Sequence, residues 1–125
     1  MKIGPDPRSA LTLSPLEQAV LAAAAREFGD AAAVWRAQCD AATVIARSHS
    51  GVGFVTKLEV PVSVPALPAA AARRLGAIHA RHPELAEPVE FLIQLKDGRP
   101  ATIEAFCPAG TWPMDDRGFA VTDRN

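Results

Sequence analysis

The chain has 125 residues, of which 49% are hydrophobic and 22% are charged, and its formal net charge is −1. This length suits one domain with one hydrophobic core, and the scattered Lys and Arg residues lack the basic stripe of a nucleic-acid-binding protein. We also find no apolar run long enough to span a membrane and no apolar core of a secretory signal, so we expect a cytoplasmic protein that contacts neither nucleic acid nor membrane.

The first predicted element is a helix that follows an irregular arm over residues 1–13. Ser14 suits the N-cap position and Pro15 the first helical position, and Glu17 completes a capping box. An apolar stripe follows at helical spacing, and it comprises Leu16, Val20, Ala23, Ala24 and Phe28. This stripe is expected to pack on a sheet.

A second, shorter helix is predicted after Gly29, which ends the first one. Asp30 is expected to cap the second helix, and Val34, Trp35 and Gln38 fall within it. A single helix that is kinked at Gly29 is the alternative. Either version places the helical layer before the strands.

A β-hairpin is predicted over residues 42–60, with its turn at residues 49–51. Its first strand is rich in β-branched residues, and its second strand alternates between an apolar row and a mixed row. The apolar row is expected to face the core, and it comprises Val52, Phe54, Thr56, Leu58 and Val60. Gly53 falls within this strand, where glycine indicates a bulge or a close approach of neighbouring backbone.

The segment over residues 61–68 is rich in proline and predicts a sheet edge or a connection, because proline cannot donate to a strand ladder. Residues 69–82 are ambiguous, since their alanine-rich first part favours a helix. We expect a strand over residues 74–81, because the sheet needs a partner there, and a loop over residues 82–87. An unpaired edge at the proline-rich segment would allow a homodimer.

The clearest hairpin spans residues 89–106, and its Asp-Gly pair marks the turn. A three-residue loop with a left-handed glycine would pair Ile93 with Ala101 and Phe91 with Ile103, whereas a two-residue turn would set apolar against polar residues. We therefore expect the three-residue loop. It gathers on one face Phe91, Ile93, Leu95, Ala101, Ile103 and Ala105. The other face then carries Leu92, Gln94, Thr102 and Glu104.

The last part of the chain reads as a loop followed by a tail. Trp112 is expected to fold back over the sheet edge, and residues 115–125 are expected to fray. No internal repeat or domain boundary is visible over residues 1–125. The elements together predict a single α+β domain, with one or two N-terminal helices packed on a four- to five-stranded, mostly antiparallel sheet.

Four short stretches carry a resemblance: residues 51–56, 97–99 and 103–106, and the Trp-Pro pair at residues 112–113. They resemble a group of small, uncharacterised bacterial proteins with a G-x-G-F-F-T strand, a D-G hairpin, an L-E-G-Y-like strand and a terminal W-P. Around Glu104 this chain has Ile, Ala and Phe where Leu, Gly and Tyr are usual. The resemblance implies this fold and brings no established activity with it.

The second face of the sheet offers a candidate ligand site formed by Glu104, Gln94 and Thr102. Glu59 belongs to the other hairpin, and two carboxylates on one face could act as acid and base. The ordinary interpretation of Glu104 is a solvent-facing carboxylate with Arg47 or Lys57 as its partner, and it is favoured because strand faces away from a core are usually charged.

The cysteines and histidines give no site pattern. Cys39 and Cys107 are far apart in sequence and are expected to be free thiols. His79 and His82 form the closest pair of metal-ligand residues, but on a strand they would face opposite ways. A nucleophilic pair of Cys107 with His49 or His79 has no family signature around it. No metal, cofactor or catalytic residue is predicted.

The sequence thus favours a non-enzymatic interaction or accessory protein with an unidentified protein partner. The alternative is a small-ligand binder or hydrolase that uses the sheet face around Glu104. A deep pocket at Glu104 would favour the alternative, whereas a flat surface with exposed apolar side chains would favour an interaction protein.

Overall fold

The computed structural model describes residues 12–122 and consists of N-terminal helices on an antiparallel sheet. The helices are α1 Pro15–Ala24, α2 Ala32–Ala41 and the short α3 Ala69–Ala72. The strands are β1 Thr43–Ser50, β2 Gly53–Glu59, β3 Ile78–Arg81, β4 Val89–Lys96, β5 Arg99–Phe106 and β6 Ala120–Thr122. The predicted α+β class is confirmed, although the sheet has six strands rather than four or five. No helix in residues 12–122 is both long enough and apolar enough to cross a membrane.

Helix α1 begins at the predicted capping box. The Ser14 hydroxyl accepts a hydrogen bond from the Glu17 backbone N–H at 3.0 Å, and the Glu17 carboxylate accepts one from the Ser14 N–H at 2.9 Å. Two backbone donors that a helix start leaves open are thereby satisfied. The predicted apolar stripe is buried along its whole length, and it comprises Leu16, Val20, Ala23, Ala24 and Phe28.

Two 3-10 turns, Ala25–Glu27 and Gly29–Ala31, separate α1 from α2. Gly29 has a φ of +54°, a left-handed conformation that breaks the helix as predicted. The expected cap at Asp30 was wrong, because Asp30 lies inside the second 3-10 turn and Ala31 occupies the N-cap position without a side-chain hydrogen bond. The two-helix version is therefore the observed one.

The strand order of the sheet is β1-β2-β5-β4-β3-β6, with every neighbouring pair antiparallel. The two predicted hairpins lie side by side, because β2 pairs with β5. Gly53 pairs with Phe106 at this junction, and a Cβ built on Gly53 would lie 1.8 Å from the carbonyl oxygen of Ala105. The close backbone approach predicted for Gly53 is confirmed.

The apolar row of β2 faces the core as predicted, except at its first member. Phe54, Thr56, Leu58 and Val60 are all buried. Val52 is 41% exposed, because the turn of the first hairpin comprises residues 51–52 rather than 49–51. The predicted strand parity otherwise holds.

The register predicted for the second hairpin was wrong. Asp97 and Gly98 both have positive φ, 54° and 74°, and form a two-residue turn that pairs Lys96 with Arg99. An extra residue at Ala101 then shifts the register by one. The observed pairs beyond this bulge include Ile93 with Ile103 and Phe91 with Ala105. Since Asp tolerates the left-handed region, the turn closes without a third residue, and the bulge inside β5 restores the predicted apolar face.

The predicted strand over residues 74–81 was wrong in its first part. Residues 69–72 form α3, in line with their helix propensity, and β3 starts only at Ile78. The proline-rich segment before α3 is a connection rather than a sheet edge. The Arg99 guanidinium donates to the carbonyls of Val62 and Val64, and this anchors the connection to the second hairpin.

Gln38 of α2 ties the same connection to the hairpin turn. Its side-chain amide donates to the carbonyl of Pro65 at 2.8 Å and to that of Gly98 at 2.9 Å. Gln38 is fully buried, and within residues 12–122 its Oε1 is the buried side-chain oxygen that finds no hydrogen-bond partner. Gln38 thus links α2 to two segments that lie far from it in sequence.

Trp112 folds back onto interior strands rather than over the sheet edge as predicted. Its ring lies edge-on to Phe54 and Phe91, with centroid distances of 5.4 and 6.1 Å. Its backbone N–H donates to the carbonyl of Gly51 at 2.8 Å. Since Phe54 and Phe91 belong to the buried row, Trp112 covers the helix-bearing side of the sheet.

The expected fraying over residues 115–125 was wrong as far as residue 122. Strand β6 pairs with β3, and Phe119 packs on both His82 and Trp112, at centroid distances of 4.8 and 4.9 Å. Residues 123–125 and residues 1–11 of the predicted arm lie outside the described part of the chain.

Candidate functional site

The structure brings together the three residues predicted as a candidate site. The Gln94 amide donates to the Glu104 carboxylate at 3.1 Å, and the Thr102 hydroxyl donates to the Gln94 oxygen at 3.4 Å. Gln94 and Thr102 are cross-strand partners in β4 and β5, and Glu104 is two residues further along β5. The chain of hydrogen bonds lies on the sheet face opposite the helices and is open to solvent.

Exposed hydrophobic side chains surround this polar chain. Val55 of β2 and Leu92 of β4 both pair with Glu104, so all three share one face. Phe106 lies two residues beyond Glu104 on the same face, and Phe106, Leu92 and Val55 are 49%, 44% and 36% exposed. We call this surface the outer face, and define it by Val55, Leu92, Gln94, Thr102, Glu104 and Phe106.

Glu59, the carboxylate expected to share this face with Glu104, does not lie close to it. Val55 is the β2 partner of Glu104, and Glu59 lies four residues further along β2, roughly 13 Å away at the rise of a strand. Arg47, one of the two expected partners of Glu104, instead binds Glu17 on the helix-bearing side. The hypothesis of an acid–base pair formed by Glu59 and Glu104 was therefore wrong.

An open groove of about 310 Å³ adjoins Glu104 at the end of the first hairpin. His49, Phe54 and Phe106 contribute to its walls, together with Ser, Val and Ala residues. The groove has roughly the smallest volume at which ligand pockets are found. The arrangement can therefore make polar contacts to a partner but does not enclose a reacting group.

Glu17 is the most deeply buried charged residue among residues 12–122, and it was not predicted as a site residue. The Glu17 side chain is 1% exposed, and its carboxylate accepts hydrogen bonds from the Arg47 guanidinium at 2.6 and 3.0 Å and from the Thr56 hydroxyl at 2.5 Å. Desolvation by itself would raise the pKa of Glu17, but the hydrogen bonds from Arg47, Thr56 and the Ser14 N–H outweigh it and lower that pKa.

This buried cluster joins α1 to β1 and β2. A substrate could not reach the carboxylate without displacing the helix, so the cluster stabilises the fold rather than forming a catalytic site. One signal in the sequence pointed to it: Thr56 is the single polar residue in an otherwise apolar row, and a buried hydroxyl needs a partner.

The two cysteines are free and lie in different parts of the fold. Cys107 is buried after β5, with its sulfur 3.6 Å from the carbonyl oxygen of Gly110. Cys39 is half-buried on α2. Neither placement supplies a nucleophile poised for reaction.

We expect Cys39 to react slowly with iodoacetamide in the folded protein. Burial, together with the neighbouring Asp40, raises the pKa of its thiol from 9.0 to about 12, and the thiolate is the reactive form. Its thiolate fraction at pH 8 is therefore about a thousandfold lower than that of an ordinary cysteine. Mass spectrometry of timed labelling reactions measures this rate, and urea-unfolded protein is the control. Labelling of folded and unfolded Cys39 at equal rates would contradict the prediction.

His79 and His82 point to different surroundings, as predicted. His79 lies on the outer-facing side of β3 beside Glu90, with 3.7 Å between Nε2 and the carboxylate. His82 is buried after the strand, where its Nδ1 accepts from the Glu84 N–H and its Nε2 lies 3.0 Å from the Asp115 carbonyl oxygen. Among residues 12–122, no group of three or more His, Cys, Asp or Glu side chains could hold a metal ion.

A larger cleft, of about 760 Å³, lies in the helical layer between α1, α2 and the start of β1. The buried side chains of Leu21, Ala25 and Trp35 contribute to its lining. Arg26 and Arg36 lie on its exposed rim. This cleft could not be predicted from the sequence, because its walls come from separate helices whose relative placement the pattern of residues does not specify.

Comparison with known proteins returned no match to this chain, whether with a protein-family model, a curated protein or a solved structure.

Proposed function

We propose that this protein is a non-enzymatic interaction module that binds a protein partner through its outer face. The observation that supports this most directly is the exposure of Phe106, Leu92 and Val55 on the side of the sheet away from the helices. Clustered exposed hydrophobic side chains with polar neighbours are typical of protein-binding surfaces. Phe106 is the natural anchor, because aromatic residues contribute much of the binding energy at interfaces.

The polar residues of the outer face give the surface its specificity. The Glu104 carboxylate and the Gln94 amide already hydrogen-bond to each other, so their geometry is set before a partner arrives. A partner that covers the Glu104 carboxylate without offering it a hydrogen-bond donor would bind less well. The partner surface should therefore combine apolar side chains with a hydrogen-bond donor opposite Glu104.

The face of the sheet suits a partner better than its edges do. Strand β1 carries a bulge between Val44 and Ala46, and bulges on edge strands hinder pairing with another strand. At the opposite edge, β6 Ala120–Thr122 comprises three residues within the described part of the chain. A homodimer through a strand edge, which the sequence suggested at the proline-rich segment, therefore has less support than contact through the outer face.

The alternative of a small-ligand binder or hydrolase at Glu104 also has less support. Sites for small ligands and substrates usually enclose most of the surface of the bound molecule. Glu104 instead lines an open groove of about 310 Å³, and its hydrogen bond to Gln94 is exposed. These features fit a surface contact better than an enclosed reaction.

The test compares partner capture by three tagged forms of the full chain in extracts of the native host. Leu92→Glu combined with Phe106→Glu is expected to lower the amount of captured partner at least about tenfold, because loss of interface anchors typically costs more than 1.4 kcal/mol. Val62→Glu is the matched control, since Val62 is 86% exposed in the proline-rich connection, and it should capture as much as the wild type.

Thermal unfolding of all three forms shows whether they are equally folded, because exposed substitutions of this kind usually change stability by within about 0.5 kcal/mol. Equal capture by the doubly substituted form and by the wild type would refute the outer face as the binding surface.

A further inference from the structure

The groove at the end of the first hairpin presents apolar surface to solvent. Its lining includes Phe106, Val52 and Val55, which are 49%, 41% and 36% exposed. A partner that covers these residues removes their apolar surface from water, which favours binding. With a volume of about 310 Å³, the groove suits one aliphatic side chain of a protein partner better than a whole small molecule.

The charge of the groove favours a cation. Of the residues within 12–122 that line it, Glu104 is the one acidic residue, His49 is the other titratable residue, and none is Lys or Arg. Glu104 makes no ion pair within that range, and the Gln94 amide donates to its Oε2 at 3.1 Å. Its Oε1 is therefore available to a donor from a partner, and a charged donor gives the stronger hydrogen bond.

The strand neighbours of Phe106 extend this negative character. Glu90 pairs with Phe106 across β4 and β5, and its carboxylate lies 3.7 Å from the Nε2 of His79. Lys57 is placed by the pairing of β2 and β5 on the side of Glu104 that lies away from Phe106. A cation above the Phe106 ring would therefore have carboxylates beside it and no basic residue among the direct strand partners of that ring.

Arginine matches this arrangement better than lysine does. Glu104 and Phe106 lie on the same side of β5, roughly 7 Å apart at the rise of a strand. A guanidinium is planar, so it can donate to a carboxylate along its edge while its flat face stacks on an aromatic ring. One arginine can thus contact both residues, whereas a compact ammonium has no flat face to stack.

We infer that the partner of the outer face presents an arginine next to an aliphatic residue, with the guanidinium on Glu104 and Phe106 and the aliphatic side chain in the groove against Val52 and Val55. This inference rests on the proposed function and names the chemistry of the partner. A partner segment without a cation would cover the Glu104 carboxylate and leave it poorly solvated, which weakens binding.

The direct test titrates the peptide acetyl-Leu-Arg-Leu-amide into the full chain and follows the ring signals of Phe106 and the methyl signals of Val55 by NMR. We expect saturable shifts with a Kd on the order of 1 mM, which is ordinary for a contact of this size. The same peptide with citrulline in place of arginine keeps the shape of the side chain but not its charge. It should bind at least about fivefold more weakly.

Two matched variants locate the contact. Glu104→Gln should weaken binding of the arginine peptide at least about fivefold, because the carboxylate is replaced by a neutral group of the same shape. Glu59→Gln removes an exposed carboxylate elsewhere on β2 and should leave the Kd within about twofold of the wild type. The inference is overturned if no saturable shift is seen, if the citrulline peptide binds as well, or if Glu104→Gln binds as the wild type does.

Partner capture from host extracts separates this inference from the proposed function. Glu104→Gln should lower the amount of captured partner at least about fivefold. Full capture by Glu104→Gln, with loss of capture by the Leu92→Glu and Phe106→Glu double variant, would refute the arginine and leave the outer face as the binding surface. Full capture by that double variant would refute both.

The other occupant that the outer face could accept is a second copy of the chain. Sedimentation analysis at the protein concentration used for NMR should therefore show a monomer. A dimer that Phe106→Glu dissociates would identify the second copy as the occupant and would overturn the inference.

Discussion

Gly53→Ala is expected to destabilise the protein by about 3 kcal/mol or more, or to prevent folding altogether. A Cβ on Gly53 would lie 1.8 Å from the carbonyl oxygen of Ala105 and 2.7 Å from its carbonyl carbon. Both atoms are backbone, so no side chain can rotate away to relieve the overlap. The contact lies at the β2–β5 junction, where a shift of backbone would separate the two hairpins.

Gly51→Ala provides the matched control for this prediction. Gly51 lies two residues earlier in the turn of the same hairpin, and a Cβ there would meet no atom within 4 Å. Its substitution should change the free energy of unfolding by no more than about 0.5 kcal/mol. Urea unfolding followed by circular dichroism measures both variants. Equal stability of the Gly53→Ala and Gly51→Ala forms would show that β2 and β5 are not packed as described.

Arg47→Ala is expected to lower the free energy of unfolding by about 3–5 kcal/mol, because it leaves the buried carboxylate of Glu17 without its cation. Glu17 is 1% exposed and takes two hydrogen bonds from the guanidinium. A double variant with methionine at both positions replaces the ion pair with apolar side chains of similar volume and should recover only part of the loss, because the Thr56 hydroxyl and the Ser14 N–H lose their acceptor. Urea unfolding at pH 7 compares the three forms. A loss below about 1 kcal/mol for Arg47→Ala would mean that the pair behaves as an exposed salt bridge.

The same cluster predicts how acid acts on the protein. The pKa of Glu17 is lower in the folded chain than its usual 4.5, so its contribution to stability is present above that value and is lost as the pH falls through the folded-state pKa. In Arg47→Ala, the guanidinium no longer offsets the desolvation of Glu17, so the folded-state pKa of Glu17 rises. A fall in pH then protonates the buried carboxylate and removes its charge. The stability difference between wild type and variant should therefore narrow below about pH 4.5. Urea midpoints at pH 7 and pH 3 test this, and an unchanged difference would contradict it.

Most of the fold could be predicted from patterns that depend on the local spacing of residues in the sequence. The capping box at Ser14 and Glu17 marked the start of α1, because its hydrogen bonds involve residues three apart. Strand parity placed Phe54 and Ile103 in the core and Glu104 on the outer face, since side chains alternate along a strand whichever strand pairs with it. The candidate residues Gln94, Thr102 and Glu104 came together for the same reason.

Features that depend on contacts between distant segments could not be predicted in this way. The exact register of the second hairpin turned on whether Asp97 adopts a positive φ, which its residue type allows but does not require. Strand β6 is too short to show alternation, and it is fixed by pairing with β3 and by Phe119 packing on Trp112. The burial of Glu17 depends on Arg47, which lies thirty residues away in sequence.

The pairing of β2 with β5 has a consequence for synthesis on the ribosome. The chain leaves the ribosome N-terminus first, so Gly53 and Phe54 emerge about fifty residues before their partners Phe106 and Ala105. Until β5 is synthesised, one side of β2 has no backbone partner. The apolar row of the first hairpin is then shielded from water only by the helices that precede it. The nascent chain should therefore be a chaperone client over this interval, and its folding should be slow compared with that of helical proteins of similar size.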